Sequence, residues 1–133
     1  ITLPVVLLGG PDDTANGEEI AKGLQHVHNT CGQFSLGQSA SIVQQAKTVI
    51  SHDTGLMHIA SAFEKHIVSI WGNTTPSLGM YPYMPRNKKF SLHEVPNLSC
   101  RPCSKIGFKN CPKKHFKCME LQDIEVIVKS VLN

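Results

Sequence analysis

The chain has 133 residues, enough for one domain with a buried core. Its apolar fraction of 41% and charged fraction of 17% are those of a globular protein rather than a disordered or fibrous one. A formal charge of +3 is too small to argue for a nucleic-acid partner, and the longest apolar run, Val5-Val6-Leu7-Leu8, is far too short to cross a bilayer.

The chain opens Ile1-Thr2-Leu3-Pro4, without Met, signal-peptide n-region or cleavage pattern, and is already strand-like. We therefore expect a piece of a longer protein, begun at a domain boundary, from a reducing compartment. Leu3 to Leu8 reads as a short buried parallel strand. It stops at Gly9-Gly10-Pro11-Asp12-Asp13, a turn by composition. Asn16-Gly17-Glu18-Glu19 resembles a capping box, predicting a short helix through Ile20, Ala21, Leu24 and Val27. A brief strand is expected around His28–Cys31. Ser35-Leu36-Gly37-Gln38 is a second capping-box start, with Leu36, Ala40, Val43 and Ala46 on one helical face.

The stretch that follows organises the chain. A β-branched run, Thr48-Val49-Ile50-Ser51, meets Asp53, and a helical pattern begins at once. Asp53 is expected as N-cap, with Gly55 keeping the first turn uncrowded. Leu56, Ile59, Ala60 and Phe63 should face a core, while Thr54, His58 and Ser61 share another face. Such a strand–turn–helix sits at the carboxyl edge of an open α/β sheet, where ligands bind. Helix N-termini attract phosphate through unpaired N–H groups and the macrodipole. An anionic, phosphorylated ligand is the first inference. Asp53 cannot itself hold a phosphate; it would cap the helix or accept from a hydroxyl.

His66 to Gly72 is another apolar strand ending in Gly. The order β-α-(β)-α-β-α-β with short connections predicts a parallel sheet with helices on both faces. Asn73 to Pro85 reads as a loop, Lys88 to Val95 as a strand, and Asn97 to Met119 as an irregular basic segment. A closing helix at about 121–132 carries the stripe Ile124, Ile127, Val128 and Val131 and starts at Gln122 or Asp123.

Taken alone, Asp53-Thr54-Gly55 with His58 reads equally well as a capped helix with a half-buried His. The balance shifts because Gly9-Gly10, Asp53-Thr54-Gly55 and Gly72-Asn73-Thr74 all follow predicted strands and would gather at one sheet edge. His58 could donate to a phosphate oxygen. Asp12 and Asp13 could accept from sugar hydroxyls, though for Asp12 an ordinary turn is preferred. Phe34, just before a helix, could cover a base or serve as a core or lid aromatic. Thr74, Thr75 and Tyr81 could close the pocket or meet a partner domain, with a surface loop as the default.

Cys100-x2-Cys103-x7-Cys111-x6-Cys118 is the other distinct pattern. Its first pair has zinc-ligand spacing, and four thiols could complete a tetrahedral structural site. The second pair departs from the usual CxxC spacing, and reduced thiols packed under a loop, or a disulfide, compete with zinc; zinc is not favoured. Cys31 is expected as a core thiol. Lys105, Lys109, Lys113, Lys114 and Lys117 thread the segment, either as a solvated face or toward an anionic acceptor or membrane surface.

Ser51-His52-Asp53-Thr54-Gly55-Leu56-Met57-His58-Ile59-Ala60-Ser61-Ala62, then a strand and Trp71-Gly72-Asn73-Thr74-Thr75-Pro76, closely resembles glycosyltransferase family 9, the ADP-heptose:lipopolysaccharide heptosyltransferases. The resemblance extends to Leu7-Leu8-Gly9-Gly10-Pro11 and to the cysteine segment, and so covers nearly the whole chain. It implies a Rossmann-like α/β domain, the C-terminal donor-binding half of a GT-B fold, spanning 1–133 with a cysteine-bearing loop at 97–119. It further implies that Asp53, Thr54, Gly55 and His58 hold the diphosphate and heptose of ADP-heptose. Asp13 matches an acidic position near the nucleotide, Phe34 a position that packs on adenine, and Gly9 and Gly10 belong to the same donor site. The general base and most of the lipopolysaccharide core acceptor site would lie in a separate N-terminal domain, so no catalytic residue is expected here. The resemblance implies no metal or cofactor requirement, and a place at the cytoplasmic face of the inner membrane, with peripheral membrane association. Two rivals remain: a GT-B transferase using another nucleotide-sugar, and a small zinc-binding interaction domain.

Overall fold

The computed structural model describes residues 3–84 and 86–133. Ile1-Thr2, the expected start of the opening run, and Pro85, the expected end of the loop, lie outside the described residues. The fold is mixed α/β with parallel strands and flanking helices, arranged in two compact units, 1–42 and 43–133.

In the first unit, β1 (Val5–Leu7) pairs in parallel with β2 (Val27–Asn29) in the register Val5↔Val27 to Leu7↔Asn29. Pairing runs on past the strands, because Thr30 and Gly32 donate their N–H groups to Leu7 O and Gly9 O at 3.1 and 2.9 Å. The connection is helical earlier than expected. Pro11–Asp13 forms a 3-10 turn that flows directly into α1 (Thr14–Ala21). Proline in the first turn, followed by two acidic residues at the positive end of the helix, accounts for this start. Asn16 is therefore inside α1 rather than its cap, and Ile20 is exposed. Gly17 packs so closely on β2 that a Cβ there would lie 2.2 Å from Asn29 Oδ1.

The capping box at α2 (Leu36–Gln45) forms as expected: Ser35 N–H donates to Gln38 Oε1 at 2.9 Å, and Gln38 N–H to Ser35 Oγ at 3.3 Å. Its buried residues are Ser39 and Val43, while Leu36 at the exposed end of the expected stripe is 69% accessible.

In the second unit, β3 (Thr48–Ser51), β4 (His66–Trp71) and β5 (Phe90–Glu94) form a three-stranded parallel sheet in the order β3-β4-β5. The central β4 carries Ile67, Val68, Ser69 and Trp71 at 0% exposure, as a strand covered on both faces requires. α3 (Gly55–Ala62) packs on β3 and β4, and its buried residues are Met57, Ala60 and Ser61. This corrects the expected stripe: Leu56 and Ile59 are half-buried and Phe63 is exposed. The helix is rotated by about one residue because Met57 reaches Ser69, whose hydroxyl donates to Met57 Sδ at 3.1 Å.

α5 (Ile124–Leu132) packs against β4 through Ile127. Asp123 is its cap, accepting from Val126 N–H at 3.1 Å. The cysteine segment contains one short helix, α4 (Lys117–Glu120), which buries Cys118. Gln122 ties this end of the chain to the sheet, donating to Trp71 O and Cys118 O at 3.0 and 2.9 Å. The Trp71 indole N–H, by contrast, is buried without an acceptor among the described residues.

Candidate functional site

The β3–α3 junction is built from short polar side chains. Ser51 Oγ lies 3.0 Å from Thr54 Oγ1 and donates to His52 O at 3.0 Å, drawing the turn tight. His52 donates from Nδ1 to Ile70 O at 3.2 Å, which fixes the turn to β4. The N-cap of α3 is Thr54, in extended conformation, and not Asp53. No side chain caps the helix, so the first N–H groups of α3 have no side-chain acceptor at this mouth. That is the state in which a helix N-terminus takes an anion.

Asp53 is freed from capping by a different contact. Thr74 Oγ1, in the loop after β4, donates to Asp53 Oδ2 at 3.2 Å. The two strand-end motifs Asp53-Thr54-Gly55 and Gly72-Asn73-Thr74 are thus brought together, as adjacent parallel strands β3 and β4 dictate. Gly55 has open space where a Cβ would stand, so the helix mouth is uncrowded. His58 lies one turn into α3, half-buried, and its ring has no hydrogen-bond partner among the described residues.

Thr74 and Thr75 are 6% and 9% exposed, so neither is the surface-loop residue expected by default; Tyr81 is exposed. The Thr74 carbonyl is held by Arg101, a residue that no sequence motif singles out. Its guanidinium, 7% exposed, donates to Gly72 O, to Val95 O at 2.9 Å and to Thr74 O at 2.9 Å, and pairs with Glu94 Oε2 at 3.0 Å. Five forked donors on one planar group suit such a convergence of carbonyls; a lysine could serve few of them. The signal was an arginine between Cys100 and Cys103 in a segment whose other cations are all lysines.

In the first unit, Gly9, Gly10 and Asp13 also meet. Gly10 N–H donates to Asp13 Oδ2 at 2.9 Å. A Cβ on Gly9 would stand 2.6 Å from that oxygen, so glycine is required for the carboxylate to fold back over the strand end. Phe34 is 39% exposed just ahead of α2. Cys31 is buried as expected, and burial, reinforced by the Asp13 charge, pushes its thiol pKa up.

No two thiols of the second unit are joined in a disulfide among the described residues. Cys100 Sγ stands 3.9 Å from His115 Nε2. Burial raises Cys103 and Cys118, with neighbouring thiols adding to it, while backbone N–H groups led by Phe116 lower Cys111. No group of three or more His, Cys, Asp or Glu residues is gathered closely enough to hold a metal ion among the described residues. A cavity of about 600 Å³ opens at the ends of β4 and β5, lined among others by Thr75, Ser77, Glu94, Asn97 and Arg101. It shares the Arg101-braced loop with the Asp53 site but does not include Asp53 or His58.

The family model described as glycosyltransferase family 9 (heptosyltransferase) matches residues 2–114. The chain belongs to this family. It is similar to lipooligosaccharide heptosyltransferase 2 of Haemophilus ducreyi, with 35% identity over 80 residues, covering 55% of this chain and 23% of that protein. Lipopolysaccharide heptosyltransferase 2 of Escherichia coli K12 is 31% identical over 77 residues, covering 54% and 22%. A longer alignment, 28% over 107 residues, joins 80% of the chain to 31% of lipooligosaccharide heptosyltransferase 2 of Campylobacter jejuni. Two solved structures share the fold. The glycosyl transferase family 9 protein of Veillonella parvula superposes with TM-score 0.72 and 21% identity, covering 96% of this chain and 35% of that one. The E. coli ADP-heptose lps heptosyltransferase II gives 0.59 and 22%, covering 95% and 37%. Family 9 membership and an α/β fold are therefore established, for a chain that spans between about a fifth and two-fifths of these proteins' length.

Proposed function

We propose that this chain is the donor-binding domain of a heptosyltransferase, taking ADP-heptose as donor for transfer to the lipopolysaccharide inner core. The observation that carries this is the uncapped mouth of α3, with Asp53 held beside it by Thr74 and His58 one turn in. The diphosphate would sit on the N–H groups of Thr54, Gly55 and Leu56, with His58 donating to a phosphate oxygen. Asp53, already receiving one hydroxyl hydrogen bond from Thr74, would accept another from the heptose. As ADP leaves, the helix dipole and His58 would stabilise its developing charge without a metal ion. Gly9, Gly10, Asp13 and Phe34 are the first unit's own candidates for nucleotide contact, proposed on the family resemblance alone. The catalytic base and the acceptor would come from a partner domain of the GT-B type, at the cytoplasmic face of the inner membrane.

A transferase using another nucleotide-sugar is the rival, and base preference separates the two. Calorimetric titration with ADP, ADP-heptose and UDP, beside Asp53→Ala, tests the reading. ADP ligands should bind more tightly than UDP. Asp53→Ala should weaken ADP-heptose about tenfold or more and ADP by less, since the carboxylate accepts from sugar hydroxyls. Equal affinity for UDP would overturn the adenine assignment, and an unchanged Asp53→Ala titration would overturn the site.

A further inference from the structure

The cysteine segment carries a surface that donor binding does not use. Lys105, Lys109, Lys113, Lys114 and Lys117 fall within 13 residues, and no acidic residue occurs between Glu94 and Glu120. These five lysines exceed the whole chain's net charge of +3, so its positive charge is concentrated here. All five are exposed, and none takes part in an ion pair among the described residues. Large apolar side chains are interleaved with them in the open: Ile106 is 92% exposed, Phe108 52% and Phe116 47%. A solvated lysine face has no use for an isoleucine almost wholly in water.

The loop is firmly placed. Ser104 Oγ donates to Gly107 O at 3.0 Å, and Gly107 adopts a positive φ of 76°, closing a turn with Lys105 and Ile106 at its tip. Asn73 holds both sides of that turn, donating from Nδ2 to Phe108 O at 2.7 Å and accepting at its carbonyl from Cys103 N–H at 2.9 Å. Asn73 precedes Thr74, the residue bonded to Asp53. The turn is therefore mounted on the same strand end as the candidate donor site.

We propose that residues 105–117 form a docking surface for an anionic phospholipid bilayer, with Ile106, Phe108 and Phe116 entering the headgroup boundary and the lysines meeting lipid phosphates. Basic residues near an anionic bilayer and apolar residues that insert are the two terms that hold interfacial segments. The aliphatic tip distinguishes a bilayer from a soluble polyanion, which offers Ile106 nothing. What the surface is for rests on the donor-site reading, because a transferase with a lipid-anchored acceptor gains by holding its donor edge at the membrane; the affinity itself does not.

The test is co-sedimentation of the 133-residue chain with phosphatidylcholine vesicles, with or without about a third phosphatidylglycerol, at low and high salt. Binding should require the anionic lipid and fall with salt. Lys105→Gln with Lys109→Gln should weaken it about twenty-five-fold, about fivefold per lysine. Ile106→Ser with Phe108→Ser should weaken it at least tenfold. Circular dichroism and ADP titration of both double variants should match the parent, which separates loss of docking from loss of the donor site. Equal binding to neutral vesicles, no binding to anionic ones, or double variants that bind like the parent would each overturn the proposal. Heparin binding that survives Ile106→Ser and Phe108→Ser, with vesicle binding also unaffected, would assign the lysines to a soluble polyanion instead.

Discussion

Replacing Arg101 by Gln should be the most damaging single polar substitution in the second unit. The guanidinium is 7% exposed and satisfies Gly72 O, Thr74 O and Val95 O as well as Glu94. Breaking a fully buried pair by removing one partner costs about 3–5 kcal/mol. Glu94 is 38% exposed, so its own charge can be rehydrated and the ion-pair share must be discounted. The larger share comes from three carbonyls left without their donor, at about 1 kcal/mol each. We expect a loss of about 3 kcal/mol for Arg101→Gln and about 2 kcal/mol for Arg101→Lys, which keeps the charge but not the fork. With a urea m-value of about 1.5 kcal/mol/M, the Gln variant should unfold at a midpoint about 2 M lower. The assay is urea denaturation at neutral pH, followed by circular dichroism, with exposed Lys22→Gln as control. A loss below about 1 kcal/mol, or one equal to the control, would refute the idea that this arginine braces the loop after β4.

Three further outcomes follow from local geometry. Gly17→Ala gains about 1 kcal/mol of helix propensity, but its Cβ would displace Asn29, which donates to Thr14 O at 3.0 Å and accepts from Cys31 N–H at 3.1 Å. Losing both bonds and the fit should leave a net loss of about 1–2 kcal/mol, measured by thermal unfolding; a stabilised variant would contradict the close approach. Cys111, its thiolate favoured by backbone N–H groups, should be alkylated by iodoacetamide at pH 7 well before Cys103, Cys118 and Cys31, whose thiols burial raises; mass spectrometry reads the order. Burial lowers the His93 pKa below its ordinary 6.5, against an opposing pull from Asp123. The unfolded chain then binds more protons than the folded one, so stability should fall as pH drops through 6.5 toward the lower folded value. His93→Gln should flatten that part of the pH profile, and an unchanged slope would contradict it.

Much of the fold could be read from residue order because it is written in local chemistry. The Ser35–Gln38 capping box, the β-branched Thr48–Ser51 run and the apolar His66–Trp71 run each appear where periodicity and caps placed them. The misreadings occur where a tertiary partner outbid a local one. Asp53 looks like a cap by residue type, but Thr74, 21 positions later, claims its carboxylate and Thr54 takes the cap position. Met57 displaces Leu56 and Ile59 from the core face because Ser69 lies opposite. Pro11-Asp12-Asp13 is a local case instead: it reads as a turn by composition, although proline in a first turn followed by acids is itself a helix start. Arg101 could not have been placed from spacing, since three of its acceptors are backbone carbonyls brought together by the sheet.

The central claim is that the mouth of α3 binds the diphosphate of an adenine nucleotide-sugar. Titrating ADP into the ¹⁵N-labelled chain and following amide and imidazole resonances tests it most directly. The account predicts that Thr54, Gly55 and Leu56 amides and the His58 ring move most, saturating together. Shifts gathered instead at Thr75, Glu94, Asn97 and Arg101, around the neighbouring cavity, with the α3 signals unmoved, would contradict it.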